Sequence, residues 1–117
     1  MSARLVIRSV SESAIRVNDD DYVHSIALTP EAVLGAWSDK PVAELVPDDF
    51  ATVFDATPEV VLLGTGPTNL FPPRELMFAF ARKGIGFEVM DTPAAARTFN
   101  VLANEGRRVA AVLCIQG

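Results

Sequence analysis

The sequence predicts an α/β domain in which two consecutive β-α-β units supply three parallel strands and a β-hairpin precedes them. Three observations carry this expectation. Between residues 60 and 115, apolar runs of strand length alternate with segments of helical periodicity. Proline and glycine punctuate those segments where helices should begin and end. The 117 residues are 50% hydrophobic and 21% charged, which suits one core and a single domain over residues 1–117.

In the first third, residues 14–17 and 22–28 flank the acidic turn 18–21. Tyr22, His24, Ile26 and Leu28 alternate with Val23, Ser25 and Ala27, and the whole reads as a β-hairpin. Residues 32–37 follow a helix-like start, Thr29-Pro30-Glu31, but contain Gly35 and only a short apolar run, so they are assigned to an edge strand. Pro47, Asp48 and Asp49 open a helix that should bury Phe50, Val53 and Phe54 and stop at Thr57-Pro58.

The parallel strands come next. Residues 60–63 are aliphatic throughout, as in a strand covered on both faces, and Gly64-Thr65-Gly66-Pro67 ends them. Pro72 and Pro73 open a helix carrying Leu76, Met77 and Phe80, with Arg82, Lys83 and Gly84 at its end. Residues 87–90 form the next strand. Thr92 is the expected cap of a helix starting at Pro93, with Ala95, Phe99 and Leu102 on its inner face and Gly106 beyond it. Residues 109–115 close the sheet.

Right-handed crossovers between parallel strands place ligand sites outside the strands' carboxyl ends. Those ends carry Gly64, Thr65, Gly66, Asp91 and Thr92, and the following helix adds Arg97 and Asn100. These seven residues form a candidate ligand-binding edge, for which the alternative reading is a binding protein or an enzyme that takes a small anion or a nucleotide-type ligand. Each also has a structural use: tight packing or positive φ for the glycines, capping for Thr92 and Asp91, and loop ties for Arg97 and Asn100. The dinucleotide fingerprint is incomplete, because its third glycine falls on Asn69 and the prolines at 72 and 73 delay the helix.

Other chemistries find little footing. The one histidine, His24, has no Gly-x-Ser-x-Gly partner, and one His with one Cys offers no paired spacing for zinc, so no catalytic residue, metal or cofactor is assigned. Ten basic against fifteen acidic residues give a net charge of -5, which disfavours nucleic acid. Residues 41–73 hold five acids (Glu44, Asp48, Asp49, Asp55 and Glu59) and no Lys or Arg, a stretch suited to charge-steered docking. Cys114 lies inside an apolar run and should be a buried, inert thiol in a reducing compartment, the cytoplasm for a bacterial source. Residues 1–16 carry Arg4, Arg8 and Arg16 against Glu12 alone, a faint likeness to a mitochondrial targeting peptide that is set aside. No apolar run approaches the roughly 20 residues of a membrane span.

Three motifs occur in order: Leu62-Leu63-Gly64-Thr65-Gly66, then residues 90–102 (MDTPAAARTFNVL), then Glu105-Gly106-Arg107-Arg108-Val109. With them, most of residues 13–116 resembles the family of the mitochondrial respiratory complex I assembly factor 3 and its bacterial and archaeal relatives. The resemblance implies a compact three-layer α/β fold with a central mixed sheet. It also implies a protein partner, a non-catalytic assembly or interaction role, and membrane association only through that partner. Where the family's helix often reads Ala-Ala-Cys-Arg-Thr, this chain has Ala96 in place of the cysteine, which argues against thiol chemistry there.

Overall fold

The unbroken aliphatic run of residues 60–63 serves two faces. Val60 and Leu62 join one apolar cluster, and Val61 and Leu63 join another on the opposite side of a five-stranded sheet. The computed structural model describes residues 4–38 and 40–117. Its strands are β1 (Ile7–Val10), β2 (Ile15–Val17), β3 (Asp20–Tyr22), β4 (Ile26–Leu28), β5 (Val33–Ala36), β6 (Val60–Thr65), β7 (Gly86–Met90) and β8 (Val109–Cys114). The helices are α1 (Ala51–Asp55), α2 (Arg74–Lys83) and α3 (Thr92–Asn104), with short 3-10 turns at Val42–Glu44 and Pro47–Phe50.

The central sheet has the order β5-β4-β8-β6-β7, with β8, β6 and β7 parallel and β4 antiparallel to both β5 and β8. It is the expected mixed sheet. The two innermost parallel strands, β6 and β8, are buried along their whole length, which their unbroken aliphatic sequence requires. On one face, Ala95, Ala96 and Phe99 of α3 pack with Ile7, Ile15 and Val17 of a second sheet, order β1-β2-β3. On the other, Phe50, Val53, Leu76 and Phe80 from the 3-10 turn, α1 and α2 gather with Trp37. Phe80 and Phe87 stack at 4.1 Å, and Phe50 meets Phe80 edge-on at 5.3 Å. Three layers result.

Several sequence expectations are corrected. The hairpin exists, but it is shorter: β2 and β3 pair Ile15 with Tyr22 and Val17 with Asp20 around Asn18, whose φ of 50° suits asparagine. Residues 22–28 are not one strand. Tyr22 ends β3 at the edge of the small sheet, whereas Ile26–Leu28 lies between β5 and β8 with every residue buried, so the chain changes sheets at residues 23–25. β1 was not anticipated. Met77 is 41% exposed, and Ala79 takes its place on the buried stripe of α2. Leu102 is half-buried at the margin of the core, and Ala103 is the deeper residue. Asp91, not Thr92, caps α3: its Oδ1 accepts the Ala94 N–H at 2.8 Å. Residues 1–3 of the segment weighed as a targeting peptide lie outside the described residues.

Candidate functional site

The carboxyl ends of β6 and β8 and the first turn of α3 meet at Thr92, which is 1% exposed. Its Oγ1 accepts the Gly66 N–H at 2.8 Å and donates to the Cys114 carbonyl, while its own N–H donates to the Gly66 carbonyl at 2.8 Å. One hydroxyl therefore ties both strand ends to the helix. The approach is close because Gly64 has no side chain: a Cβ there would stand 2.8 Å from Thr92 Oγ1 and 2.9 Å from Thr92 Cα. Gly66 adopts a φ of 94°, which lets the chain turn out of β6.

Thr65 organises the loop that follows. Its Oγ1 donates to the Thr68 carbonyl at 2.6 Å and accepts the Leu70 N–H at 3.0 Å. Asp91 brings its own carboxylate to the amino terminus of α3, so negative charge already occupies the end of the helix dipole. Gly64, Thr65, Gly66, Asp91 and Thr92 thus come together at one edge.

Arg97 and Asn100 lie farther along α3, facing β1. Asn100 is committed to β1, with its amide bonded to both main-chain groups of Ile7. Arg97 is exposed and lines a groove of about 210 Å³ between α3 and β1, whose opposite wall carries Arg8. Arg8 was missed by sequence reasoning. A second concavity of about 180 Å³, lined by Val10, Pro67, Pro93 and Ile115 with Glu12 at its side, sits at the strand ends. The two share Val10 and Pro93 as lining residues and lie side by side.

Cys114 borders this slot but is only 3% exposed, and burial pushes its thiol up to about 12. His24 is exposed, with Nδ1 3.0 Å from the Ser25 carbonyl. Among the described residues, no three His, Cys, Asp or Glu side chains gather in a group that would hold a metal ion, and no helix is long and apolar enough to cross a membrane.

In the acidic stretch, burial tends to raise the Asp49 carboxyl. Hydrogen bonds from Lys40 and the Val46 N–H, with the lysine's charge, outweigh it and hold the group below its ordinary value. Glu59 is likewise lowered by hydrogen bonds from the Arg107 side chain and the Arg108 N–H. Glu44, Asp48 and Asp55 are the exposed acids of this stretch.

Residues 7–114 match the profile of a family described as "Protein of unknown function (DUF498/DUF598)". A zebrafish (Danio rerio) protein named NADH dehydrogenase [ubiquinone] 1 alpha subcomplex assembly factor 3 is 34% identical over 116 residues, covering 96% of this chain. This chain spans 65% of that relative's length. A Francisella tularensis protein named "13 kDa major membrane protein" is 29% identical over 99 residues, covering 83% of this chain and 80% of its own. An NMR structure of a Xanthomonas campestris protein superposes with a TM-score of 0.88 at 35% identity, covering 99% of this chain and 88% of that one. These likenesses bear out both the resemblance and the three-layer fold drawn from the motifs.

Proposed function

This chain belongs to the DUF498/DUF598 family, and from that premise we propose that it is an assembly-factor-like interaction domain that assists in building respiratory complex I. The observation that carries the reading is the 34% identity, over 96% of this chain, to a protein named as an NADH dehydrogenase assembly factor. The geometry of the strand ends supports it. The side-chain oxygens of Thr65 and Thr92 and one from Asp91 are spent on holding the loop and helix in place. In this reading Gly64, Thr65, Gly66, Asp91 and Thr92 are the frame of the edge, and partner contact falls elsewhere on the surface.

The contact face assigned here is the acidic side. Lys40 and Arg107 engage Asp49 and Glu59, which leaves Glu44, Asp48 and Asp55 to steer a basic partner. The domain works in a reducing compartment, the cytoplasm for a bacterial source, and reaches the membrane through that partner. A Francisella relative named as a membrane protein supports the association with a membrane.

Affinity capture from native cells tests the reading. The chain should co-purify with subunits of incomplete complex I, and capture should weaken as salt shortens the screening length from about 10 Å at 0.1 M toward about 3 Å at 1 M. Capture of no complex I subunit contradicts the role, and salt-insensitive capture contradicts the acidic face.

A further inference from the structure

The described ion pairs are Arg4 with Glu31, Arg16 with Asp21, Lys40 with Asp49 and Arg107 with Glu59. Neither Arg8 nor Arg97 takes part in one, although acids outnumber bases fifteen to ten. Both line the 210 Å³ groove, Arg8 from β1 and Arg97 from the second turn of α3. Two exposed arginines lining one groove make it locally cationic in an acidic chain, a place that an anion would neutralise. The groove adjoins the slot walled by Pro67 and Ile115, with which it shares Val10 and Pro93. A cationic groove and a mainly apolar slot are therefore neighbours.

We propose that the groove and the slot together bind a carboxylate carried on an apolar group. Arg8 and Arg97 hold the carboxylate, and the slot beside Val10 and Pro93 takes the apolar group. The inference does not depend on the assembly role. A guanidinium fork matches the two oxygens of a carboxylate, and exposed arginines reach it without distorting β1 or α3. A phosphate fits less well. The Asp91 carboxylate closes the amino terminus of α3 just before Pro93, and Glu12 lies along the slot, so a dianion would meet like charge on that side. Free apolar acids and acidic segments of a partner protein present the same chemistry.

NMR titration of the whole labelled chain tests the site with three probes: sodium hexanoate, a blocked peptide of alternating leucine and glutamate, and inorganic phosphate. Saturable shifts are expected at Arg8, Ser9 and Arg97 from the carboxylate and at Val10 and Ile115 from the apolar part. The Kd should be about 1 mM or tighter for hexanoate or the peptide, and weaker for phosphate. Tighter binding of hexanoate identifies a free acid as the source, and tighter binding of the peptide identifies a protein segment. Arg97→Ala should weaken binding about tenfold or more, and Arg8→Ala with Arg97→Ala should abolish it, with amide dispersion unchanged because both side chains are exposed. If neither carboxylate gives saturable shifts at about ten times that Kd, the proposal is overturned. Phosphate binding as tight as the better carboxylate overturns the assigned chemistry, and an unchanged Kd in the Arg97 variant overturns the assigned residue.

Discussion

The side-chain amide of Asn100 bonds both main-chain groups of Ile7: Oδ1 accepts the Ile7 N–H at 3.0 Å, and Nδ2 donates to the Ile7 carbonyl at 2.9 Å. Among the described residues β1 is an edge strand paired with β2 alone, and a side chain of α3 bonds its other edge. This contact fastens the small sheet to the helix layer. Asn100→Ala leaves a donor and an acceptor of Ile7 unpaired in a partly buried place, and should cost about 1–3 kcal/mol in urea unfolding. Amide exchange at Ile7 should accelerate beyond that at Val17. Equal protection of Ile7 in both proteins would rule out the tie.

At the strand ends, steric and polar fit meet in one pair. Gly64→Ala places a methyl within 3 Å of the Thr92 main chain, which cannot move without shifting α3, and should destabilise by about 1–3 kcal/mol. Thr92→Val keeps the shape and deletes the hydroxyl shared by Gly66 and Cys114; its cost should be about 1–3 kcal/mol. The double variant should cost less than the sum, because both changes disturb one junction. Strict additivity in a double-mutant cycle would separate the two residues.

Phe99 and Leu102 distinguish the buried face of α3 from its margin. Phe99 is wholly buried, so Phe99→Ala should cost about 3–5 kcal/mol. Leu102 is half-buried, so Leu102→Ala should cost less than about 2 kcal/mol. Equal losses in chemical denaturation would mean that the helix is rotated from the orientation described.

The Cys114 thiol, raised by burial from an ordinary 9.0 to about 12, stays protonated in the native chain where the unfolded chain ionises. The linked stability is complete below pH 9 and is lost as pH rises from 9 toward 12. Wild type should therefore lose stability more steeply over that range than Cys114→Ala, although the variant starts lower because it leaves a small cavity. At pH 8, an aromatic disulfide reagent should label Cys114 only after urea unfolds the chain. Rapid native labelling would contradict the burial.

The β-α-β half was legible because its boundaries are local. Pro72-Pro73 starts α2, Gly84 ends it with a φ of 70°, and unbroken aliphatic runs can only be inner strands. The first third was not, since its strands have three or four residues and Ile26–Leu28 leaves its hairpin to join β8, a partner more than eighty residues away. No local period encodes such a choice. The same reason hid Arg8: it gains meaning only when β1 packs beside α3 and faces Arg97. Asn100 and Thr92 were both singled out from their positions, but their roles depend on Ile7 and Cys114, neither of them a neighbour in sequence.

The central claim, that the domain helps to build complex I without entering its turnover, is tested most directly in a strain lacking its gene. The amount of assembled complex I, separated by native electrophoresis, is measured with the NADH oxidation rate per assembled copy. The account predicts less assembled complex with an unchanged rate per copy. Normal assembly, or normal amounts with a reduced rate per copy, would contradict it.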